Sequence, residues 1–386
     1  ARQGAAVRVS PAVARALPLE VDAIEAPQPP AWRLRLHPAA TPLGTLDRRA
    51  WNAALRTALR EAPEAALASN DAAGDPSLRA ALATQLSRSR GVVTDPLHIT
   101  ITSGVTDALR GLAPILRARG GRVAVEDPGF MVHRGTLLAS GLEVVPVPAD
   151  HRGLDVAALT DLDVGAVLLT PAHQMPLGVP LSPERRAALV GWARATDTLL
   201  LEDDYDGELR YDRRGVRSLH ALAPDRVVYL GTTSKVLSPA VRVGWCVTPP
   251  ALTGEVQGWR LPAGAPPSNV VQLALAELIR TGAFDRGVAW LRRRCAAQRA
   301  ALLAAFEDVA PHFVPTGVEA GLVLSLRVPG ISSWDVLQAA QARGVELFAL
   351  DDADGAILLV GFGLVDPTAA MQVAREVVDI VELARL

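Results

Sequence analysis

The chain has 386 residues, 49% of them apolar and 21% charged, with a formal net charge of −2. Its length accommodates one large domain and a smaller one, each able to bury a core. The near-neutral balance excludes a general attraction to nucleic acid or to an acidic membrane surface. No apolar run is long enough to span a bilayer, and the opening Ala1-Arg2-Gln3-Gly4 lacks the apolar core of a signal peptide. The two cysteines, Cys246 and Cys295, have no CxxC or metal-ligand spacing. They read as thiols filling a core in a reducing compartment, so a cytoplasmic location is expected and a metal is not.

Residues 1–45, rich in Ala, Pro and Val, read as a surface arm or linker. Helical spacing covers 51–61. Asp75-Pro76-Ser77 opens a helix over 76–87, with Asp75 or Ser77 as its cap. A strand at 98–101 leads through Thr102-Ser103-Gly104 into an apolar helix that ends near 117. Strands and helices then alternate, with strands at 122–125, 142–147, 164–169, 199–203, 227–230 and 241–247 and helices at 130–140 and 183–196. Short apolar strands separated by helices predict a mostly parallel, doubly wound α/β sheet covered on both faces. The Gly/Pro-rich stretch 261–267 reads as a hinge and 269–306 as one long helical stretch. The remainder reads as strand, helix, strand, helix, a smaller α+β domain. The expected division is an arm (1–45), a large domain (46–268, with 46–75 able to pack against the small domain), and an interdomain helix with the small C-terminal domain (269–386).

All but one of the 39 basic residues are arginine; the exception is Lys235. Ion pairs and solubility tolerate that exchange, but Schiff-base chemistry does not. It needs a primary amine that sheds its proton and attacks a carbonyl, which a delocalised guanidinium cannot do. One lysine can survive by chance in so arginine-rich a composition, so its surroundings decide. Thr232, Thr233 and Ser234 precede it at a strand end, with hydroxyls for phosphate oxygens, and Arg242 follows with a charge for the same phosphate. Asp203 ends the strand 199–203, placed to keep a pyridine nitrogen protonated, and Tyr205 can donate to a ring hydroxyl. Gly104 and Val105 sit where a strand turns into a helix, whose N-terminal amides form an anion site that glycine lets a phosphate approach. Phe130 can stack on a pyridine face, and His173, at another strand end, can face the same ring. Singly, each has an ordinary explanation: a turn residue for Asp203, a surface arginine for Arg242, a core aromatic for Phe130, a satisfied turn histidine for His173. Together they fall at the C-terminal ends of predicted parallel strands, where open α/β sheets place ligands. They supply what pyridoxal 5'-phosphate requires, with Lys235 as its Schiff-base partner.

The order and spelling of these segments resemble the fold-type I pyridoxal-phosphate enzymes of the aminotransferase class I/II family, over residues 45–386. Leu201-Glu202-Asp203-Asp204-Tyr205-Asp206-Gly207-Glu208-Leu209-Arg210-Tyr211-Asp212 is similar to the EDDYDSEFRYD stretch of MocR-type regulators, a GntR subgroup. Tyr229-Leu230-Gly231-Thr232-Thr233-Ser234-Lys235 resembles the subgroup's YLGTFSK. His173-Gln174 resembles its TPSHQFPTG, where ordinary aminotransferases have Asn-Pro-x-Gly. The resemblance implies that Lys235 carries the cofactor, that Asp203 and Tyr205 contact its ring, and that Phe130 stacks where the subgroup usually has Tyr. It implies that Gly104, Val105, Thr232, Ser234 and Arg242 hold the phosphate. It further implies a mixed, mostly parallel sheet with a small α+β domain, and a homodimer with composite sites.

The opening Arg2-Gln3-Gly4-Ala5-Ala6-Val7-Arg8-Val9 resembles the RPGSGTFV wing of a GntR winged helix. That implies DNA bound by a domain ahead of Ala1; an initiator Met removed before Ala1 would also produce this start. Three positions depart from the family. Leu359 stands where an Arg clamps a substrate carboxylate, Ser69 falls near the Tyr that reaches the neighbouring subunit's phosphate, and Leu177 replaces a Thr. They put ordinary transamination of α-amino acids in question and leave the cofactor apparatus intact. Three functions stay open: the effector-sensing domain of a MocR-type regulator, responding to pyridoxal phosphate, an amine or an amino acid; a free-standing aminotransferase or relative; and a cofactor-free dimerisation scaffold, against which Lys235, Asp203 and Arg242 argue.

Overall fold

The computed structural model describes residues 32–386 apart from 39, 43, 69–70, 212–215, 264–265 and 353. The arm to residue 31 with its wing-like stretch, the position of Ser69, and Gly264 and Ala265 of the expected hinge lie outside the described residues.

The strands, in chain order, are β1 (Leu34–Arg35), β2 (Ile99–Thr102), β3 (Arg122–Asp127), β4 (Glu143–Asp150), β5 (Gly153–Leu154), β6 (Ala166–Leu169) and β7 (Leu199–Asp203). They continue with β8 (Val227–Thr232), β9 (Gly244–Val247), β10 (Val314–Thr316), β11 (Val323–Pro329), β12 (Val345–Glu346), β13 (Phe348–Asp352) and β14 (Gly355–Gly361). The large sheet has the order β2-β9-β8-β7-β6-β3-β4-β5. Its body, β4-β3-β6-β7-β8, is parallel, whereas β9 runs antiparallel to both β8 and β2. The sheet is therefore mixed and mostly parallel, as expected.

Apolar residues on adjacent positions of these strands point to opposite faces. Val123, Val125, Leu199, Leu201, Val228 and Leu230 pack on one side with the helix Val105–Ala118. Ala124, Val167, Leu200 and Val227 pack on the other with Leu189 and Ala193 of the helix Pro183–Ala195. Each fully buried Leu or Val contributes about 1.5–3 kcal/mol, so the two-sided cover makes this sheet the rigid frame of the molecule.

The flanking helices obey their sequence signals. Asp75 caps Pro76–Arg90 by accepting from the amides of Ser77 and Leu78; the helix buries Leu78, Leu82 and Leu86 on one stripe and stops at Gly91, with φ 72°. Cys246 and Cys295 are both buried. The second, smaller body holds the antiparallel sheet β10-β11-β14-β13, covered by the helices Ser333–Ala342 and Ala370–Ala384.

Three expectations are corrected. The stretch 269–306 is two helices, Asn269–Arg280 and Ala283–Val309, parted by Thr281 and a left-handed Gly282 with φ 69°. Apolar helical spacing persists on both sides of the break, so the pattern alone joins them. The helix Thr253–Ala263 runs into the first residues of the expected hinge. The strand expected from 241 starts at Gly244, because Arg242 adopts φ 54°, outside strand geometry.

Candidate functional site

The C-terminal ends of β2, β3, β6, β7 and β8 open on one edge of the large sheet, and the antiparallel β9 begins there. A cleft of about 240 Å³ lies at this edge. Of the residues expected at the site, Gly104, Val105, Phe130, Asp203, Tyr205, Thr232, Ser234, Lys235 and Arg242 line it together. Small-domain residues Leu322 and Val323 and the N-terminal Pro38 close its far side.

One corner of the cleft joins the turn after β2 to the residues that follow β8. Gly104, at φ 131°, turns β2 into the helix Val105–Ala118, whose first residues, Val105 and Thr106, line the cleft. Gly244 makes that turn possible: a Cβ there would stand 2.7 Å from the Gly104 Cα and 2.8 Å from the Gly231 carbonyl oxygen. The Thr232 hydroxyl donates to the Ser234 Oγ at 3.0 Å and accepts from the Ser234 amide at 3.2 Å. Arg242 completes the corner. It is one of two non-glycine residues with positive φ among those described, a conformation costing about 1–3 kcal/mol that clusters at functional sites.

The opposite corner is acidic. Asp203 is buried, and among the described residues its Oδ1 has no hydrogen-bond partner, a deficit of about 1–3 kcal/mol. Burial, then the nearby Asp204, Asp206 and Glu126, push its carboxyl well above the usual range, and Lys235 opposes them. Lys235 is shifted the other way: burial lowers its ammonium pKa, against the pull of Asp206 and Asp203. A buried amine whose charged form is disfavoured shares the cleft with a buried carboxyl group whose Oδ1 lacks a donor among the described residues. A heterocycle with a ring N–H and an aldehyde, and a phosphate for the first corner, fits both demands.

Several residues here were not singled out by sequence reasoning. His133 Nδ1 lies 3.4 Å from Asp203 Oδ2, with its ring edge-on to Phe130 at 4.8 Å between centroids; burial pushes it down to about 4, so it is neutral at pH 7. The signal was present: His133 is three residues after Phe130, in the first turn of the helix Met131–Ala139. Glu126, pushed up to about 7 by burial, accepts from the Thr170 amide at 2.9 Å and the Thr170 hydroxyl at 2.7 Å. Asp204 turns away from the cleft to a two-point pairing with Arg90, 2.6 and 2.9 Å, and accepts from the Tyr229 hydroxyl at 2.6 Å.

His173 is placed differently from the other expected site residues. It does not line the cleft but stands behind Tyr205, with Nδ1 2.7 Å from Asp206 Oδ2 and 3.2 Å from the Tyr205 hydroxyl. Its neighbour Gln174 braces the loop by donating to the Pro128 carbonyl at 2.7 Å and accepting from the Leu177 amide at 2.9 Å. Leu359 is buried on β14 opposite Ser325 of β11, and the Ser325 hydroxyl donates to the Pro176 carbonyl at 3.3 Å. Leu359 thus shares the β-sheet face that meets the large domain, and presents a hydrocarbon there.

The signature of the family described as aminotransferase class I and II matches residues 42–349. The chain is 34% identical to the HTH-type pyridoxine biosynthesis transcriptional regulator PdxR of Corynebacterium glutamicum, over 99% of this chain and 84% of that protein. It is 30% identical to the probable rhizopine catabolism regulatory protein MocR of Rhizobium meliloti, over 87% of this chain and 70% of that protein. Among solved structures, a kynurenine aminotransferase of Pyrococcus horikoshii, in complex with PMP, superposes with a TM-score of 0.82 at 25% identity, over 90% of each chain. The α-aminoadipate aminotransferase LysN of Thermus thermophilus, complexed with N-(5'-phosphopyridoxyl)-L-leucine, superposes with a TM-score of 0.80 at 24% identity, over 91% of this chain and 92% of that one.

Proposed function

Because this chain belongs to the class I and II aminotransferase family, and within it to the group of MocR- and PdxR-type regulators, we propose that it is the ligand-sensing part of a transcription regulator. Pyridoxal phosphate is its cofactor, and it supplies an aldehyde for amines and an electron-withdrawing ring. In this reading Lys235 holds the cofactor covalently, the bare Asp203 Oδ1 accepts from its ring nitrogen, and Phe130 covers one face. Tyr205 donates to the ring oxygen. The amides at Gly104 and Val105, the hydroxyls of Thr232 and Ser234, and Arg242 take the phosphate. An amine, an amino acid or pyridoxal phosphate itself is the effector. It acts by favouring one arrangement of the two bodies that share the cleft. DNA is contacted by a segment outside this chain, in a cytoplasmic homodimer.

The observation that carries the reading is the sole lysine of the chain in one cleft with a buried carboxylate oxygen that lacks a donor. Borohydride reduction of protein incubated with pyridoxal phosphate tests it. The cofactor should be fixed on the peptide containing Lys235, and Lys235→Ala should take up none. Label elsewhere, or no label, overturns the reading.

A second reading has its own support. The chain is 28% identical to an aromatic-amino-acid aminotransferase of Thermococcus litoralis, over 69% of this chain and 67% of that protein. In that case Lys235, once released from the cofactor, would move a proton from the substrate carbon. Leu359 in place of a guanidinium weighs against an α-amino-acid substrate. Single-turnover mixing with amino acids and amines decides: consumption of the cofactor's aldehyde form with release of an oxo product favours the enzyme.

A further inference from the structure

We propose that Asp206 and His173 are a buried positioning pair that fixes the Tyr205 hydroxyl in the cleft as a neutral donor to the cofactor ring. This rests on the cofactor reading above. The side chains of His173 and Asp206 are 6% and 3% exposed and 2.7 Å apart. So short a contact with a carboxylate makes Nδ1 the protonated ring nitrogen. The Tyr205 oxygen lies 3.2 Å from that same Nδ1, and the two rings stack with centroids 6.3 Å apart at 25°. The Nδ1–H is therefore shared between Asp206 and the phenol oxygen, which is an acceptor on this side and keeps its own hydrogen. That hydrogen has the His173 carbonyl oxygen as a long acceptor, 3.3 Å away, which a ring oxygen in the cleft would replace. The groups facing the phenol are acidic: after burial itself, Asp206, Asp203 and Glu126 hold its pKa well above the ordinary value. Tyr205 thus meets the cleft as a donor and not as a phenolate.

The pair is locked from the other body of the molecule. A Cβ on Gly321, at φ 70°, would stand 2.4 Å from His173 Cε1 and 2.7 Å from Asp206 Oδ2, and the Gly321 amide donates to the Leu209 carbonyl at 2.8 Å. Gly321 immediately precedes the cleft residues Leu322 and Val323. The imidazole cannot swing away from Tyr205 unless this seam opens. His173, whose position suggests a direct cofactor contact, stands behind Tyr205, and Asp206 acts both through His173 and through its own hydrogen bond to the Tyr205 phenol.

A double-mutant cycle on the cofactor-loaded protein tests the pair, read by the pH midpoint of the visible absorbance of the lysine-bound cofactor. A hydrogen bond to the ring oxygen favours its ionised form, so Tyr205→Phe should raise the midpoint by about one pH unit. His173→Phe keeps a flat ring and removes the Nδ1–H. It should raise the midpoint in the same direction and add nothing in a Tyr205→Phe background. If His173→Phe does not fold, Asp206→Asn replaces it. Losing that charge beside Lys235 alone lowers the midpoint, so an upward contribution present with Tyr205 and absent in the Tyr205→Phe background supports the pair. Shifts that simply add across the cycle, or a midpoint moved by Tyr205→Phe and untouched by His173→Phe, overturn the pair while the cofactor reading stands. A parent protein with no lysine-bound absorbance overturns both.

Discussion

Five consecutive residues, Glu202 to Asp206, carry four carboxylates, and each is answered differently. Glu202 accepts from the amides of Leu219 and His220 at 2.8 and 3.0 Å, Asp204 takes Arg90, and Asp206 takes His173. Asp203 keeps one oxygen without a partner among the described residues. Because its folded-state pKa is raised, the cofactor-free fold binds a proton that the unfolded chain has released. The stability it contributes is present below the unfolded pKa of about 4 and is lost as pH rises through the folded value. Asp203→Asn removes this dependence. In thermal melts of cofactor-free protein the variant should gain on the parent between pH 5 and pH 8, while its affinity for pyridoxal phosphate falls about 10- to 100-fold, the worth of one hydrogen bond to a charged group. A parent that is relatively more stable at pH 8 than at pH 5 contradicts the assignment. Residues whose type and strand-end position both point to the ligand, such as Asp203, Lys235 and Arg242, are legible in the sequence. His133 shows only as a histidine three residues after Phe130, and Asp206 is not legible, since its role depends on which neighbour it meets across the seam.

At the scale of elements, the site depends on how close β9 lies to the turn after β2. The predicted strands place Gly104 at a strand end, but nothing local in the sequence says that Gly244 is its neighbour, because the pairing of β9 with β2 spans more than a hundred residues. The same holds for the helix break at Gly282, where a Thr-Gly step is a weaker signal than the apolar period on both sides. Gly244→Ala would push a methyl into backbone on both neighbouring segments, which cannot move aside as a flexible side chain would. It should cost about 1–3 kcal/mol and weaken phosphate binding, because the displaced turn is the one that presents the amides. Gly258→Ala is the contrasting case. It lies within the helix Thr253–Ala263 with open space where the methyl would go and should stabilise the protein by up to about 1 kcal/mol. Chemical denaturation of both variants checks the pair; effects of the same sign at the two positions, or a loss at Gly258, would contradict the packing argument.

At the scale of the whole molecule, one segment touches both bodies and the cleft. β1 pairs in parallel with β12, Leu34 with Val345 and Arg35 with Glu346, a contact between residues 311 apart in the chain for the Arg35–Glu346 ion pair and so invisible to any local pattern. In the order β10-β11-β14-β13 only the β11–β14 pairing joins strands that are not chain neighbours, and it is the one a local pattern does not show. After β1 the segment runs along β14: the Gly361 amide donates to the Leu36 carbonyl at 2.9 Å, Pro38 reaches the cleft wall, and the Thr41 hydroxyl donates to the Ser234 carbonyl at 3.0 Å, next to Lys235. Arg33 joins Arg343 on Glu376, at 2.6 and 2.7 Å. Half-exposed ion pairs of this kind are worth at most about 1 kcal/mol each, so the backbone pairing and the fit against β14 must hold the segment. That fit requires a glycine, since a Cβ at Gly361 would stand 2.1 Å from the His37 carbonyl oxygen. Gly361→Ala should therefore detach the segment while leaving the cores of both sheets in place. Two readings follow from one experiment, trypsin cleavage after Arg33 and Arg35 with and without pyridoxal phosphate. In the parent, a filled cleft should slow cleavage, because Pro38 and Thr41 are held against it. In Gly361→Ala, cleavage should be faster and should no longer respond to the cofactor, whose affinity should also drop. Cleavage that ignores the cofactor in the parent would show that the segment passes the cleft without being coupled to it.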